Sequence, residues 1–195
     1  ARPASATATL QRLLQPIADA WGGDNRWPWF EDRLTYDNAR VCEALIRGGA
    51  QLADDALVLT GLASLEWLDG ISLTRAGVYR FPGNLGVGAG DRIAGSGDEQ
   101  PLEAVALQEA HVAALDVTGD GRHGDAAGRC LAWFLGANVL DVALADPMTG
   151  ACRDGLGPEP NFNCGAESTL AFHRAVIVQR KLMARPVRAL TSVTA

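Results

Sequence analysis

The chain has few of the features that mark several large classes of protein. Aromatic residues make up 6% of its 195 residues, and its four cysteines show no CxxC or Cys/His metal spacing. No stretch approaches the roughly 20 consecutive apolar residues of a membrane span. The GxSxG, HExxH and Walker motifs of common hydrolases and nucleotide-binding enzymes are absent from the sequence. We therefore predict a domain that needs no metal or cofactor and does not cross a membrane.

Basic residues are also too few and too scattered for a nucleic-acid-binding protein. The chain has 17 Lys and Arg against 23 Asp and Glu, for a formal net charge of −6. Its Ala-rich start lacks the charged and apolar regions of a secretory signal, so we expect a cytoplasmic protein. Cys152 and Cys164 flank one loop, but in a reducing compartment we expect the cysteines to be free thiols.

Apolar periodicity predicts a single all-α domain over residues 1–195, with flexible tails at 1–9 and 184–195. Two glycine-rich long loops, at 70–97 and 136–163, interrupt the helices, and 78–81 is the one stretch that resembles a strand. Segment 116–121 imitates the start of a calcium-binding loop, but Ala127 stands where the bidentate Glu is needed, so we predict a turn. We expect His111 and His173 to be structural and His123 to be exposed. The predicted helices lie near 10–21, 35–48, 54–68, 101–117, 125–135 and 166–182.

Three times, an acidic loop rich in aromatic or amide residues runs directly into an amphipathic helix. Asp37, Glu103 and Glu167 lie 66 and 64 residues apart, each near the start of its helix. Even spacing of this kind predicts a repeated helical hairpin. We therefore expect the three helix starts and the long loops to meet on one rim of the fold.

A family resemblance covers about residues 27–175. It is based on the strings WPWFEDRLTYDNAR, DEQPLEA, TGDGRHGDAAGRCLAWFLGAN and NFNCGAESTLAF. They resemble the helical domains of bacterial proteins described as glycosyltransferases, which are similar to the six-hairpin glycosidase and sugar-epimerase superfamily. The resemblance implies an α/α toroid with a funnel lined by the starts of its inner helices. The chain has material for about three hairpins, so a partial toroid is expected, with a homo-oligomer or a glycosyltransferase partner covering its open flank. It also reads DEQP where relatives are expected to read DQQP.

Carboxylates at the three loops are the candidates for acid and base chemistry, because glycoside hydrolysis uses two carboxyl groups facing one bond. A helix start favours the ionised form of Glu167, which suits it to act as a base, with Glu99 or Glu103 as the acid. Capping of helix starts is the competing role for each of them. The candidate catalytic residues are Glu31, Asp32, Glu99, Glu103 and Glu167.

Aromatic rings stack on sugar faces, and amide, carboxylate and guanidinium groups bond hydroxyls, so a second set of residues is predicted to bind substrate. The alternative for the tryptophans is a place in the core. Two functions remain open: a carbohydrate-active enzyme, or a non-catalytic sugar-binding or assembly module associated with a glycosyltransferase. The candidate binding residues are Trp27, Trp29, Arg33, Tyr36, Gln100, Asp154, Asn161 and Asn163.

Overall fold

The computed structural model describes residues 4–22 and 26–185. Within these residues the chain is mostly helical, which confirms the all-α class. Two short strands, β1 (Arg33–Leu34) and β2 (Val87–Gly88), pair antiparallel with Arg33 opposite Gly88. The helices are α1 (Ala4–Ala20), α2 (Ala39–Leu52), α3 (Asp55–Ser72), α4 (Pro101–Thr118), α5 (Arg122–Phe134) and α6 (Ala166–Met183).

α4 is the central helix of the fold. It packs against α2 on one side and α6 on the other, while α3 and α5 pack against α2 and α4 respectively. Apolar residues surround its axis, as expected for a helix buried on most sides. Glu109 of α4 accepts hydrogen bonds from Arg40 of α2 at 2.6 Å and from Arg174 of α6 at 2.5 Å. These three helices therefore form a continuous inner layer, whose closure into a toroid remains a prediction.

The limits of α2 differ from the prediction at both ends. Asp37 has a φ of 53°, a left-handed conformation that separates the preceding loop from the helix. The helix also continues through Gly48 and Gly49, which were expected to stop it. A Cβ at Gly48 would lie 2.2 Å from Leu14, and one at Gly49 would lie 2.8 Å from the backbone nitrogen of Val58. These glycines allow α1 and α3 to pack closely on α2, so they serve packing and do not end the helix.

The other helices differ from the prediction mainly at their ends. α1 begins at Ala4, so most of the segment 1–9 that was expected to be a tail is helical. α3 begins at Asp55, capped by Asp54, which accepts from the backbone nitrogens of Ala56 and Leu57, and it runs on to Ser72, past the predicted end at Leu68. The predicted start of α4 at Pro101 is confirmed, and so is the turn between α4 and α5. α6 ends at Met183, and residues 186–195 of the second predicted tail lie outside the described residues.

The two long loops lie against each other over the starts of α4 and α6. Tyr79 forms bridges with Leu73 and Asn138, and Glu99 forms bridges with Gly83 and Leu156. Segment 78–81, which was predicted to be a strand, forms only such isolated bridges. The loops thereby bring distant parts of the sequence together at one end of the inner layer.

Cys42, Cys130 and Cys152 are buried free thiols, and Cys164 is an exposed one, so no disulfide joins Cys152 to Cys164. None of the helices in the described part of the chain has the length and apolar character to cross a membrane.

Candidate functional site

The starts of α2 and α4 are joined through Glu103. Its Oε1 accepts from the backbone nitrogen of Asp37 at 2.5 Å. Its Oε2 accepts from the backbone nitrogen and the Nδ2 of Asn38, at 3.3 and 3.0 Å. Burial raises the pKa of Glu103 to about 7, against the hydrogen bonds that favour its ionised form. Only 4% of the residue is exposed, so Glu103 holds the start of α2 and does not face a ligand.

The start of α6 reaches the same end of the fold through Tyr36, whose hydroxyl donates to Glu167 Oε2. This hydrogen bond and the nearby Asp37 and Glu103 charges raise the pKa of Tyr36 to about 12, with burial adding to the shift. Both side chains are exposed. The prediction that three helix starts meet is therefore confirmed by the bonds that link Tyr36, Asp37, Glu103 and Glu167. We name these four residues the helix-start face.

Asp154 caps α6 from the second long loop. Its Oδ1 accepts from the backbone nitrogen of Gly165 at 2.6 Å, and its Oδ2 accepts from Asn163 Nδ2. Burial acts to raise the pKa of Asp154, but these bonds and one from Ser168 lower it overall. Asn161 accepts from the backbone nitrogen of Asn163 at 2.9 Å. Asp154 and Asn163 thus serve mainly to shape the loop and the helix start.

The aromatic loop packs inward. Trp29 is 5% exposed and stacks on Trp67 with ring centroids 5.5 Å apart, which leaves no free face for a sugar ring. Trp27 meets Trp67 edge to face and donates its indole N–H to the backbone oxygen of Glu31. Of the two roles considered for the tryptophans, the structure favours packing.

Charged residues that follow these tryptophans lie at the surface. Glu31, Asp32 and Arg33 are exposed, and Arg33 donates to the backbone oxygen of Leu85 at 3.1 Å. Gln100 is half-buried at the start of α4, where its side chain makes no capping bond.

Glu99 is a predicted carboxylate on the wall of a cavity large enough for a small ligand. Its Oε2 accepts from the backbone nitrogen of Phe81 at 2.9 Å, and its Oε1 lies 3.9 Å from Arg80 Nε. Burial raises its pKa to about 7, although the Phe81 N–H, the Trp133 indole and Arg80 act to lower it. The Trp133 indole nitrogen lies close enough to influence Glu99, but it has no hydrogen-bond partner among the described residues.

The cavity beside Glu99 has a volume of about 300 Å³. We name it the Glu99 pocket. Arg80 and Glu99 are its charged residues, and most of its remaining wall is aliphatic or glycine. The wall includes Ile93, Gly95, Gly97, Val139, Leu140, Leu156 and Pro158.

A pair of histidines was missed as a functional candidate. His123, expected to be exposed, is 8% exposed, and its Nδ1 lies 3.0 Å from Nδ1 of His111. His111 Nε2 lies 3.0 Å from Asp69 Oδ1. The available signal was that both histidines flank the α4–α5 turn, where a helical hairpin places residues opposite each other. His173 is exposed on α6.

Across the part of the chain that the structure describes, no group of three or more His, Cys, Asp or Glu residues is placed to hold a metal ion. No protein-family model matches this chain, and no curated protein matches it.

Proposed function

We propose that this protein is a carbohydrate-binding domain that holds a sugar in the Glu99 pocket. The observation that carries the proposal is a buried carboxylate with one oxygen bonded to Phe81 and the other directed toward Arg80, at the wall of a cavity. The sequence resemblance to sugar-active helical domains supports the same class of ligand.

The chemistry of the pocket suits a sugar hydroxyl group. Glu99 Oε1 is an acceptor for a hydroxyl proton, and Arg80 is a donor to a hydroxyl oxygen. Aliphatic side chains such as Ile93, Val139 and Leu140 offer contact to the C–H groups of a ring. A cavity of about 300 Å³ lies at the lower end of the range for small-molecule sites. A monosaccharide unit is therefore the ligand we propose.

Hydrolysis is the second candidate, favoured by the pKa of Glu99, since a carboxyl that is protonated near neutral pH suits a general acid. Hydrolysis also requires a second carboxyl group facing the same bond. Among the described residues that line the Glu99 pocket, Glu99 is the only one with a carboxyl group. Glu103 is buried under the start of α2, and Glu167 is bonded to Tyr36. Binding without hydrolysis is the better supported alternative.

The decisive variant is Glu99→Gln. Gln keeps the oxygen that accepts from Phe81 but removes the charge and replaces one acceptor with a donor. We expect the strongest binder from a panel of monosaccharides and nucleotide sugars, found by thermal shift and measured by calorimetry, to bind about 10-fold to 100-fold more weakly. Glu159→Gln is the control, since Glu159 is an exposed carboxylate on the neighbouring loop. Equal affinities for the wild-type protein and Glu99→Gln would contradict the proposal.

We also propose that α6 forms part of an interface with a second copy or with a glycosyltransferase domain. Leu170 and Ile177 lie two turns apart on α6 and are 62% and 51% exposed. Sedimentation of the wild-type chain and of Leu170→Ser/Ile177→Ser tests the homo-oligomer. A strictly monomeric wild-type protein would count against self-association through α6.

A further inference from the structure

A second cavity lies between α3, α4 and α5, away from the residues that line the Glu99 pocket. Its volume is about 350 Å³, and we name it the histidine pocket. Its wall is aliphatic on one side and polar on the other. The lining includes Leu59, Leu62, Leu65, His111, His123 and Arg129.

The polar side is an ordered chain of hydrogen bonds that begins at Asp69. Asp69 Oδ1 accepts from the Tyr79 hydroxyl at 2.5 Å and lies 3.0 Å from His111 Nε2. Burial acts to raise the pKa of Asp69, but the bonds from His111 and Tyr79 lower it overall. The carboxylate is therefore ionised near neutral pH, and His111 Nε2 carries a hydrogen that it donates to Asp69.

When both rings are neutral, this bond sets where each ring carries its hydrogen. His111 then has its hydrogen on Nε2 and a bare Nδ1, which accepts from Nδ1–H of His123 across 3.0 Å. A neutral His123 then has a bare Nε2. Burial lowers the pKa of His123, the charge of Arg122 and any charge on His111 lower it further, and Asp120 and Asp69 act to raise it. The neutral ring is thus the form favoured near neutral pH.

Two buried polar atoms of opposite character, both on residues that line this pocket, have no hydrogen-bond partner among the described residues. They are His123 Nε2, an acceptor, and Arg129 Nε, a donor. Arg129 also lies over the Tyr79 ring at 5.7 Å, which places its guanidinium beside the bonded chain. A buried polar atom without a partner costs roughly 1–3 kcal/mol, so a ligand that satisfies both atoms gains free energy on binding.

We propose that the histidine pocket binds a small neutral molecule with an apolar body and a hydroxyl group. The hydroxyl donates to His123 Nε2, and the apolar body contacts Leu59, Leu62 and Leu65. Arg129 Nε–H donates to an oxygen of the same ligand. Asp69 and His111 are positioning residues, because they hold His123 in the tautomer that presents a bare Nε2.

Phenol and anisole are a matched pair of probes for this site. They share an aromatic ring, but only phenol has an O–H donor. We expect phenol to bind saturably to the wild-type protein, about 3-fold to 10-fold more tightly than anisole, as one neutral hydrogen bond predicts. Chemical-shift titration measures both affinities. Equal affinities for phenol and anisole would mean that the cavity does not select a ligand by its hydrogen bond. No saturable binding of phenol would mean that the cavity holds only solvent. Either result overturns the proposal.

His123→Phe and His173→Phe are the matched variants. Removal of the acceptor in His123→Phe is expected to bring the phenol-to-anisole affinity ratio to about 1, while the exposed His173→Phe keeps the wild-type ratio. A wild-type ratio in a folded His123→Phe protein would also overturn the proposal. Long-range ¹H–¹⁵N spectra of the wild-type protein are independent of any variant. They should show hydrogen on Nδ1 of His123 and on Nε2 of His111, and the opposite tautomers would contradict the proposed acceptor.

Discussion

The helix-start face and the histidine pocket use most of their polar groups in different ways. At the helix-start face, Glu103 binds three N–H groups and Tyr36 binds Glu167, so the functional-looking side chains hold the helices together. In the histidine pocket, residues that looked structural leave His123 Nε2 and Arg129 Nε without partners. Asp37 Oδ1 at the helix-start face also lacks a partner among the described residues, so the histidine pocket is distinguished by the cavity that the residues with unpaired atoms line.

The largest effect is expected at Glu99, the predicted carboxylate on the wall of the Glu99 pocket. Its pKa is raised from 4.5 to about 7, so the folded state binds a proton that the unfolded state releases between these pH values. The stability that Glu99 contributes is complete below about pH 4.5 and is lost as the pH rises to about 7. Relative to wild type, Glu99→Gln should gain of order 3 kcal/mol in free energy of unfolding between pH 4.5 and 8. Urea unfolding at both pH values measures this, and parallel pH profiles would show that Glu99 is not buried as described.

Glu103 provides the complementary experiment on the helix-start face. Glu103→Ala removes the acceptors for Asp37 and Asn38 and leaves a buried amide without a partner, while it also relieves the burial of a charge. We expect the free energy of unfolding, measured by urea denaturation, to fall by about 2 kcal/mol. The exposed Glu31→Ala should change it by less than about 0.5 kcal/mol. Equal effects of the two substitutions would mean that Glu103 does not hold the start of α2.

Sequence periodicity predicted the helical class and the meeting of the helix starts, because both depend on patterns of apolar and capping residues. It did not predict which carboxylates would be buried. Glu99 and Glu103 are four residues apart on the same short segment, yet Glu99 faces a cavity and Glu103 lies under α2. That difference arises from the loop at Phe81 and from the position of Asn38, which are set by tertiary packing.

The same limit explains the errors at Gly48, Gly49 and His123. Glycines within a helix suggest its end, but here they allow α1 and α3 to approach α2 closely. His123 follows a polar turn and was expected in solvent, but the hairpin of α4 and α5 places it against His111. Close contacts between helices decide both cases, and the apolar pattern within a single helix does not encode them.

The histidine pocket predicts a pH effect opposite in sign to that of Glu99. The pKa of His123 is lowered by burial, so the unfolded state binds a proton first as the pH falls through about 6.5. Protonation of His123 then favours the unfolded state. The free energy of unfolding therefore falls with decreasing pH until the pH passes the pKa of His123 in the folded protein. His123→Phe should lose this part of the pH dependence, while His173→Phe should keep it. Urea unfolding between pH 5 and 8 measures the difference, and identical slopes in both variants would count against a buried neutral His123.

The smallest effect is expected at Glu167, which lies on the exposed part of the helix-start face. Glu167→Gln keeps an oxygen that accepts from the Tyr36 hydroxyl, and the pair is exposed, so the free energy of unfolding should change by less than about 0.5 kcal/mol. Because Glu167 does not line the Glu99 pocket, the affinity for the sugar that Glu99→Gln weakens should also stay unchanged. Calorimetry on both variants separates the two locations. If Glu167→Gln weakens sugar binding and Glu99→Gln does not, the ligand occupies the helix-start face, and Glu167 regains the base or hydroxyl-binding role that its sequence position suggests.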